Sequence, residues 1–422
     1  MTEVGEPAAE PSRQRRSQHL AAIMAVLFAL GFANLFLRSS LGVMAPDLAR
    51  EVSLSPAALS AVASSFFFAY AVMQIPTGML LDRFGGRITL AGMLIFTTAG
   101  AATFASAHTV GTLSLGRVLM GMGCAGVFTG AFYIMAQWLP QSTVVQRMGW
   151  LNSFAATGTL TATTPLAALI SIIGWRDSYW IFTVAIALLL AAIWLVVRDG
   201  PAEKVASAPR SESLAEVVRG VGLSMREPGM WRLLLTGLPI SASSTITGVW
   251  GAPYLRDVYG LDSIQRGNVL LVMAICAISG HTLLGLLAQK ANSVKVALIT
   301  GASGVIVCMG ALSVLDHPPV WLVTGLLAAV GVLASFPMIV FAHARGLVAP
   351  HLMGRGMSAA NTGLMFAIAG MQIVFGFIIG TFTAPGTAPP ELAYRVAFGV
   401  QAGAAVLALL VYLPIRDVKP RG

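Results

Sequence analysis

The sequence predicts an all-α membrane protein of about twelve transmembrane helices, and three observations carry that reading. Hydrophobic residues make up 56% of the chain and charged residues only 10%, where an ordinary soluble domain has roughly 25% charged. Apolar runs of about 20 residues, the length that crosses a bilayer core, recur from Leu20 almost to the end. Lys and Arg are confined mostly to the short segments between those runs.

Each observation excludes something. A soluble protein this apolar would lack polar groups to cover its surface, whereas a bilayer requires an apolar outside. The net charge of +9 does not point to nucleic acid, because the basic residues form no aromatic-interleaved patch. Cys124, Cys276 and Cys308 all lie inside apolar runs, are odd in number and match no metal-site spacing. They are expected to be core residues, and no metal or cofactor is expected.

Taken in order, the elements begin with a cytoplasmic tail, residues 1–19, carrying Arg13, Arg15 and Arg16. The apolar run that follows is too long for a signal-peptide core and shows no convincing cleavage site, so it stays as the first helix. Spans are expected near 20–45, 57–80, 88–107, 111–138, 147–172 and 178–197, a first bundle over 20–197. Residues 198–229 are polar and rich in Ser and Pro, and read as a cytoplasmic linker. A second bundle over 230–414 holds spans near 230–255, 265–289, 294–314, 319–344, 353–379 and 392–414, followed by a tail at 415–422. With the N-terminus inside, cytoplasmic segments hold about 19 Lys and Arg residues and outer loops about 5. Arg38 and Arg117 fall within spans. The expected topology places both termini in the cytoplasm, in a plasma membrane of bacterial type.

An internal repeat links the halves. Gly78-Met-Leu-Leu-Asp82-Arg83-Phe-Gly85-Gly86-Arg87 follows span 2, and roughly 207 residues later Gly285-Leu-Leu-Ala-Gln289-Lys290 follows span 8. Nearly the same offset carries Gly123 in span 4 to Gly331 in span 10.

The Gly78–Arg87 segment has legible physics. Its glycines permit a tight turn and close helix approach. Asp82 can accept from helix N-termini or arginines, and Arg83 and Arg87 anchor the loop at the membrane face. This segment resembles the G-x-L-a-D-r-x-G-r-r loop of the major facilitator superfamily, and Arg117-Val-Leu-Met-Gly121-Met-Gly123 resembles that family's R-x-x-x-G-x-G in span 4. Trp175-Arg176 with Phe182, and Pro253-Tyr254-Leu255, add to the likeness, which covers most of the chain. The resemblance implies two pseudo-symmetric six-helix bundles around a central cavity that opens to alternate sides. It also implies that Gly78, Asp82, Arg83, Gly85 and Arg87 latch the halves in the outward-open state. Drug–proton antiporters of the family carry G-x-x-x-G-P in span 5, but Thr164 stands here where the glycine before Pro165 belongs.

Polar groups inside spans are costly and face a cavity or another helix. Pairs at i, i+4 share a helix face: Asn34 with Arg38, Tyr70 with Gln74, Tyr133 with Gln137, and Trp250 with Tyr254. Asn152, His281, Asn361 and Gln372 stand singly. The resemblance places all of them on cavity-lining spans. Arg38 is the leading candidate. It lies eight residues before Pro46, roughly 12 Å deep, and burying it costs about 2.5–3.5 kcal/mol. No Asp or Glu lies deep in any span, so a substrate carboxylate would supply the counter-charge to its planar fork. The alternative is a side chain that snorkels outward or donates to backbone carbonyls.

Arg38 through Pro46 also resembles the span 1 signature of the organic anion symporters within the superfamily. Those proteins place Asp before this arginine and Glu after the span 4 glycines; Leu37 and Cys124 stand there instead. His281 is then the residue suited to carry a proton, with exchange or facilitated diffusion as the alternative. Arg117, with Gly121 and Gly123, is read as a structural or coupling element, the structural reading being donation to the backbone carbonyls of a neighbouring helix. Trp250 and Tyr254 form a stacking wall of the cavity, an outer gate or an interfacial belt.

The expected function is a secondary active or facilitative transporter of a small organic anion, a carboxylate, working as a monomer. The competing function is an exporter of drug-like or amphipathic metabolites, which calls for an embedded acid that the spans lack. No nucleophile–base constellation suggests an enzyme. The expected partners are the substrate, protons and the bilayer, not nucleic acid.

Overall fold

The computed structural model describes residues 10–200, 222–223, 225–227, 229–348, 353–384 and 386–419. Most of the expected linker, at 201–221, lies outside them, as do the ends of both tails. Every regular element among the described residues is helical. Ten of these helices are long and apolar enough to cross a membrane.

Two of the ten are double. Pro56–Ala105 turns at Gly85 (φ 77°) and Thr164–Val196 at Gly174 (φ 81°). Such left-handed backbone is costly for any residue with a Cβ, so glycine marks both breaks. Dividing there gives twelve passages among the described residues. Spans 1 to 3 are Glu10–Glu51, 56–84 and 86–105, and span 4 joins Val110–Cys124 to Val127–Trp138. Span 5 runs from Gln141–Thr161 into 164–173, and span 6 is 175–196. Span 7 joins Met230–Leu234, Gly237–Thr245, a π-helical turn at Ile246–Trp250 and Gly251–Tyr259. Span 8 is Ser263–Lys290 and span 9 is Val294–Val314. Span 10 joins Val320–Leu333 to Pro337–Leu347, span 11 is Met353–Phe382, and span 12 is Glu391–Tyr412.

Span 1 extends well beyond the expected 20–45, because helix continues through Pro46 to Glu51 outside the apolar run. Polar ends are closed locally: the Ser55 hydroxyl accepts from Ala58 N, and Thr109/Thr112 and Asp262/Gln265 form capping boxes.

Glycines set how closely spans approach. A Cβ on Gly121 would stand 2.2 Å from Phe66 O of span 2, and one on Gly123 would stand 2.0 Å from Thr97 Oγ1 of span 3. Gly331 repeats this in the second half, 2.5 Å from Met273 O of span 8. By contact, then, Gly331 corresponds to Gly121, although the sequence offset pairs it with Gly123.

The halves meet on the face opposite the two termini, here called distal. A Cβ on Gly42 of span 1 would stand 1.9 Å from Thr247 O of span 7, and Arg256 Nη1 donates to Pro46 O at 3.0 Å. Ser60 of span 2 donates to Gln372 O of span 11 at 2.6 Å, and Thr164 donates to Asn268 Oδ1 of span 8 at 2.8 Å. Toward the termini the halves diverge. Gly285 lies eighteen residues, five helical turns, beyond Gly267 and so on the same face of span 8. A Cβ on Gly267 would stand 3.0 Å from Thr164 Cα, whereas one on Gly285 would meet nothing within 4 Å. The central cavity of this state is thus closed distally and opens toward the termini.

Candidate functional site

The guanidinium of Arg38 sits where the two halves still touch. It lies 5.2 Å from the centre of the Phe67 ring of span 2, and Nη2 reaches Ser244 Oγ of span 7 at 3.5 Å. Stacking on Phe67 holds the planar group without neutralising it. Tyr70, one turn on from Phe67, interacts electrostatically with Arg38 and lies against the side chains of Gln74 and Asn361. Gln74 is oriented by its own bond to Ala125 O of span 4, at 3.2 Å. Arg38, Tyr70, Gln74 and Asn361, drawn from spans 1, 2 and 11, therefore form one cluster bridging both halves. Among the described ion pairs none involves Arg38. The cluster offers one cation with neutral donors and acceptors around it, a set that suits a carboxylate.

The other sequence candidates lie elsewhere. Asn34 is buried and donates to Cys124 O at 2.7 Å, joining span 1 to span 4. Asn152 donates to Met148 O of its own helix. Tyr133 packs on the Gly86 backbone near the membrane face, and Gln137 lies one turn further along span 4. Trp250 and Tyr254 are both buried against span 12. Tyr254 packs edge-on to Phe398 at 5.1 Å, and Trp250 lies edge-on to Tyr394 at 6.4 Å. His281 is exposed on the diverging face of span 8, one turn before Gly285, with Nδ1 2.8 Å from Ala277 O. Gln372 is wholly buried in the distal seam.

Arg117 is fully buried. Its Nη1 donates to Leu37 O at 3.0 Å and its guanidinium lies 4.5 Å from the Phe66 ring centre. Tyr179, which also interacts with Arg117, is hydrogen-bonded to Ser40 at 2.7 Å. Arg117 thus grips span 1 at the residue before Arg38, while the adjacent face of that span stays in the cavity.

In the loop expected to act as a latch, Arg87 N donates to Asp199 Oδ1 at 2.6 Å, and its side chain donates to Trp194 O and stacks on Trp194. Gly85 faces the same carboxylate, and Arg83 lies over Phe84. The sequence reading missed Asp199, Phe67, Ser244 and Gly42. Asp199 had a findable signal, an acid directly after the last helix of a half. Phe67 and Ser244 had none, because such residues are common throughout the spans.

A model of the Major Facilitator Superfamily matches residues 27–369. The chain is 28% identical over 324 residues to a protein named "Probable galactarate/D-glucarate transporter GudP" from Bacillus subtilis (strain 168), covering 68% of this chain and 70% of that one. It is 24% identical over 426 residues to "Probable sulfoacetate transporter SauU" from Cupriavidus necator, covering 96% and 95%. Among solved structures, a bacterial homolog of the human lysosomal transporter Spinster, in an inward-facing and occupied conformation, superposes with a TM-score of 0.76. That likeness covers 94% of this chain and 96% of the other at 18% identity, and it speaks to the fold alone.

Proposed function

The chain belongs to the Major Facilitator Superfamily, and from that premise we propose that it moves a small organic anion, a carboxylate, through its central cavity by alternating access. It is a membrane transporter and not an enzyme. The observation that carries the substrate reading is Arg38, a cation at the meeting of both halves with no carboxylate partner among the described ion pairs. A bound carboxylate would offset its desolvation and link the halves through Ser244 and Asn361. The names of the relatives, which point to sugar diacids and sulfoacetate, agree with an anionic substrate.

The charge bias of the loops supports both termini facing the cytoplasm of a bacterial cell, which makes the distal face external and this state open inward. The Gly78–Arg87 loop is proposed to latch the two halves in the outward-open state; in this inward-open state it is held within its own half, at Asp199.

The test is thermal stabilisation of purified protein by a panel of carboxylates, since a ligand at 100 times its Kd stabilises by about 2.7 kcal/mol. Arg38→Ala should lose the response, and Arg38→Lys should weaken it sharply because Lys keeps charge without the fork. A folded Arg38→Ala protein that binds with near-normal affinity would overturn the assignment.

A further inference from the structure

The amide of Gln372 is wholly buried, and neither its nitrogen nor its oxygen has a hydrogen-bond partner. Buried polar groups are almost always paired, and one left unpaired destabilises the state that contains it. Its position points to a use for it. The Gln372 backbone carbonyl takes the hydroxyl of Ser60, from the opposite half, at 2.6 Å. Its side chain is turned toward span 7, where a Cβ on Gly248 would stand 3.5 Å from Nε2. One turn before Gly248 is Thr245, also wholly buried, whose hydroxyl has no partner either.

Both orphans border the π-helical turn at Ile246–Trp250, the stretch of span 7 whose Thr247 carbonyl meets Gly42 of span 1. π-turns are rare and concentrate at functional positions. Both lie on the distal side of the Arg38 cluster. Thr245 follows Ser244 directly. Gln372 lies eleven residues past Asn361, three turns along the same face of span 11 and roughly 16 Å away. On the far side of the seam is a cavity of about 560 Å³, lined in part by Pro46, Leu59, Trp250 and Thr383.

We propose that Gln372 and Thr245 form a second substrate station, sealed in this state and opened when Ser60 and Gly42 withdraw with the first half. Its groups are neutral, and the amide and hydroxyl together both donate and accept. They match substrate hydroxyls, whereas a carboxylate only accepts. The ligand class is therefore a hydroxylated carboxylic acid, whose acid end goes to Arg38. The inference rests on the anion-transport reading and adds the hydroxyls to it.

The test compares full-length wild type with Gln372→Leu and Thr245→Val, using gluconate as the hydroxylated probe and hexanoate as an unhydroxylated acid of equal chain length. Without ligand, Gln372→Leu should melt above wild type, because an apolar group of similar size removes the orphan. By titration calorimetry its Kd for gluconate should rise about tenfold, the scale of one lost hydrogen bond, with hexanoate unchanged. Thr245→Val should move both readouts in the same direction. A Gln372→Leu protein that melts at or below wild type has lost a structural bond, and that result overturns the station. So does an unchanged gluconate Kd, or equal changes for both probes. Wild-type protein that binds neither probe overturns the anion reading itself, and the station with it.

Discussion

Asp199 accepts the backbone N–H of Arg87 at 2.6 Å, and Asp417 accepts that of Lys295 at 3.0 Å, so each half ends in a carboxylate that caps the start of its own third helix. The cations repeat the pattern in reverse. Arg87 donates to Trp194 O and Lys295 Nζ donates to Leu413 O and Ile415 O, at the ends of spans 6 and 12. A carboxylate at a helix N-terminus contributes about 0.3–1 kcal/mol. Asp199→Asn is therefore expected to lower Tm by a few degrees at most. Because Asp199 also holds the loop beneath span 2, the variant should slow transport while leaving the Kd for substrate near wild type. Equal loss of binding and rate would show general misfolding instead.

Asp417 gives this device a pH dependence. Burial alone would push its carboxyl up, but bonds from Ser293 and from the backbone N–H of Lys295 and Val418 outweigh that and hold it below the usual range. A carboxyl depressed on folding stabilises fully above its unfolded pKa, about 3.9, and loses that contribution as pH falls through the folded value. The Tm difference between wild type and Asp417→Asn should be constant at neutral pH and close below about pH 4. The effect is small because Asp417 is exposed. A difference that persists unchanged at pH 3 would rule out the charge as its source.

How much of this was readable in advance depended on whether a residue's meaning is local. The spans were legible because crossing a bilayer requires an unbroken apolar run, and Arg38 because a lone cation in such a run has few explanations. Gly85 and Gly174 both fall in the breaks expected between spans, but nothing local showed that these residues, and not their neighbours, would take the left-handed backbone. The i, i+4 rule puts Trp250 and Tyr254 on one face. It could not show that they face span 12, because it fixes which residues share a face and not which neighbour that face meets. Asn34 and Arg117 likewise looked like cavity or packing residues from sequence. Only the positions of the Cys124 and Leu37 carbonyls reveal the partners they serve.

Gly42 is expected to be indispensable for distal closure. A Cβ there would overlap Thr247 O at 1.9 Å, and the obstruction is backbone, so no rotamer change relieves it. Gly42→Ala should fold and bind, yet favour distal-open states, since the two halves of the seam can no longer meet. Ala49 lines the distal cavity beside Pro46; in a background without the native cysteines, Ala49→Cys should be labelled faster by an impermeant maleimide when Gly42→Ala is present. An unchanged labelling rate would show that the seam tolerates the extra methyl.

Arg117→Lys should destabilise the protein by about 1–3 kcal/mol, since a buried amine cannot both reach the Leu37 carbonyl and cover Phe66 as the guanidinium does. As Leu37 precedes Arg38, the same variant should weaken substrate binding without removing it. A thermally normal Arg117→Lys protein with normal binding would show that span 1 is positioned by its other contacts.

A proton-coupled carrier needs a group that titrates near neutrality within reach of the cavity. The described spans contain no deep carboxylate, since Leu37 and Cys124 occupy the positions where relatives within the resemblance carry acids. Three histidines lie in the described spans, and His19 sits at the terminal end of span 1 against Trp138, away from the cavity's depth, which leaves two. His343 is fully buried, with one ring nitrogen at Arg416 O and the other at the Tyr412 hydroxyl, so its protonation would break a packed junction. His281 is exposed on the face of span 8 that diverges from span 5, and its Nδ1 contact to Ala277 O leaves Nε2 free to exchange protons. Protonated, it adds a positive charge to the cavity that holds Arg38, and so raises anion affinity at low pH. In proteoliposomes, an inward proton gradient should drive accumulation by wild type and not by His281→Gln, while exchange at equal pH should proceed in both. Equal drive in both proteins would remove His281 from the mechanism, and no response in either would establish exchange or facilitated diffusion as the mode of transport.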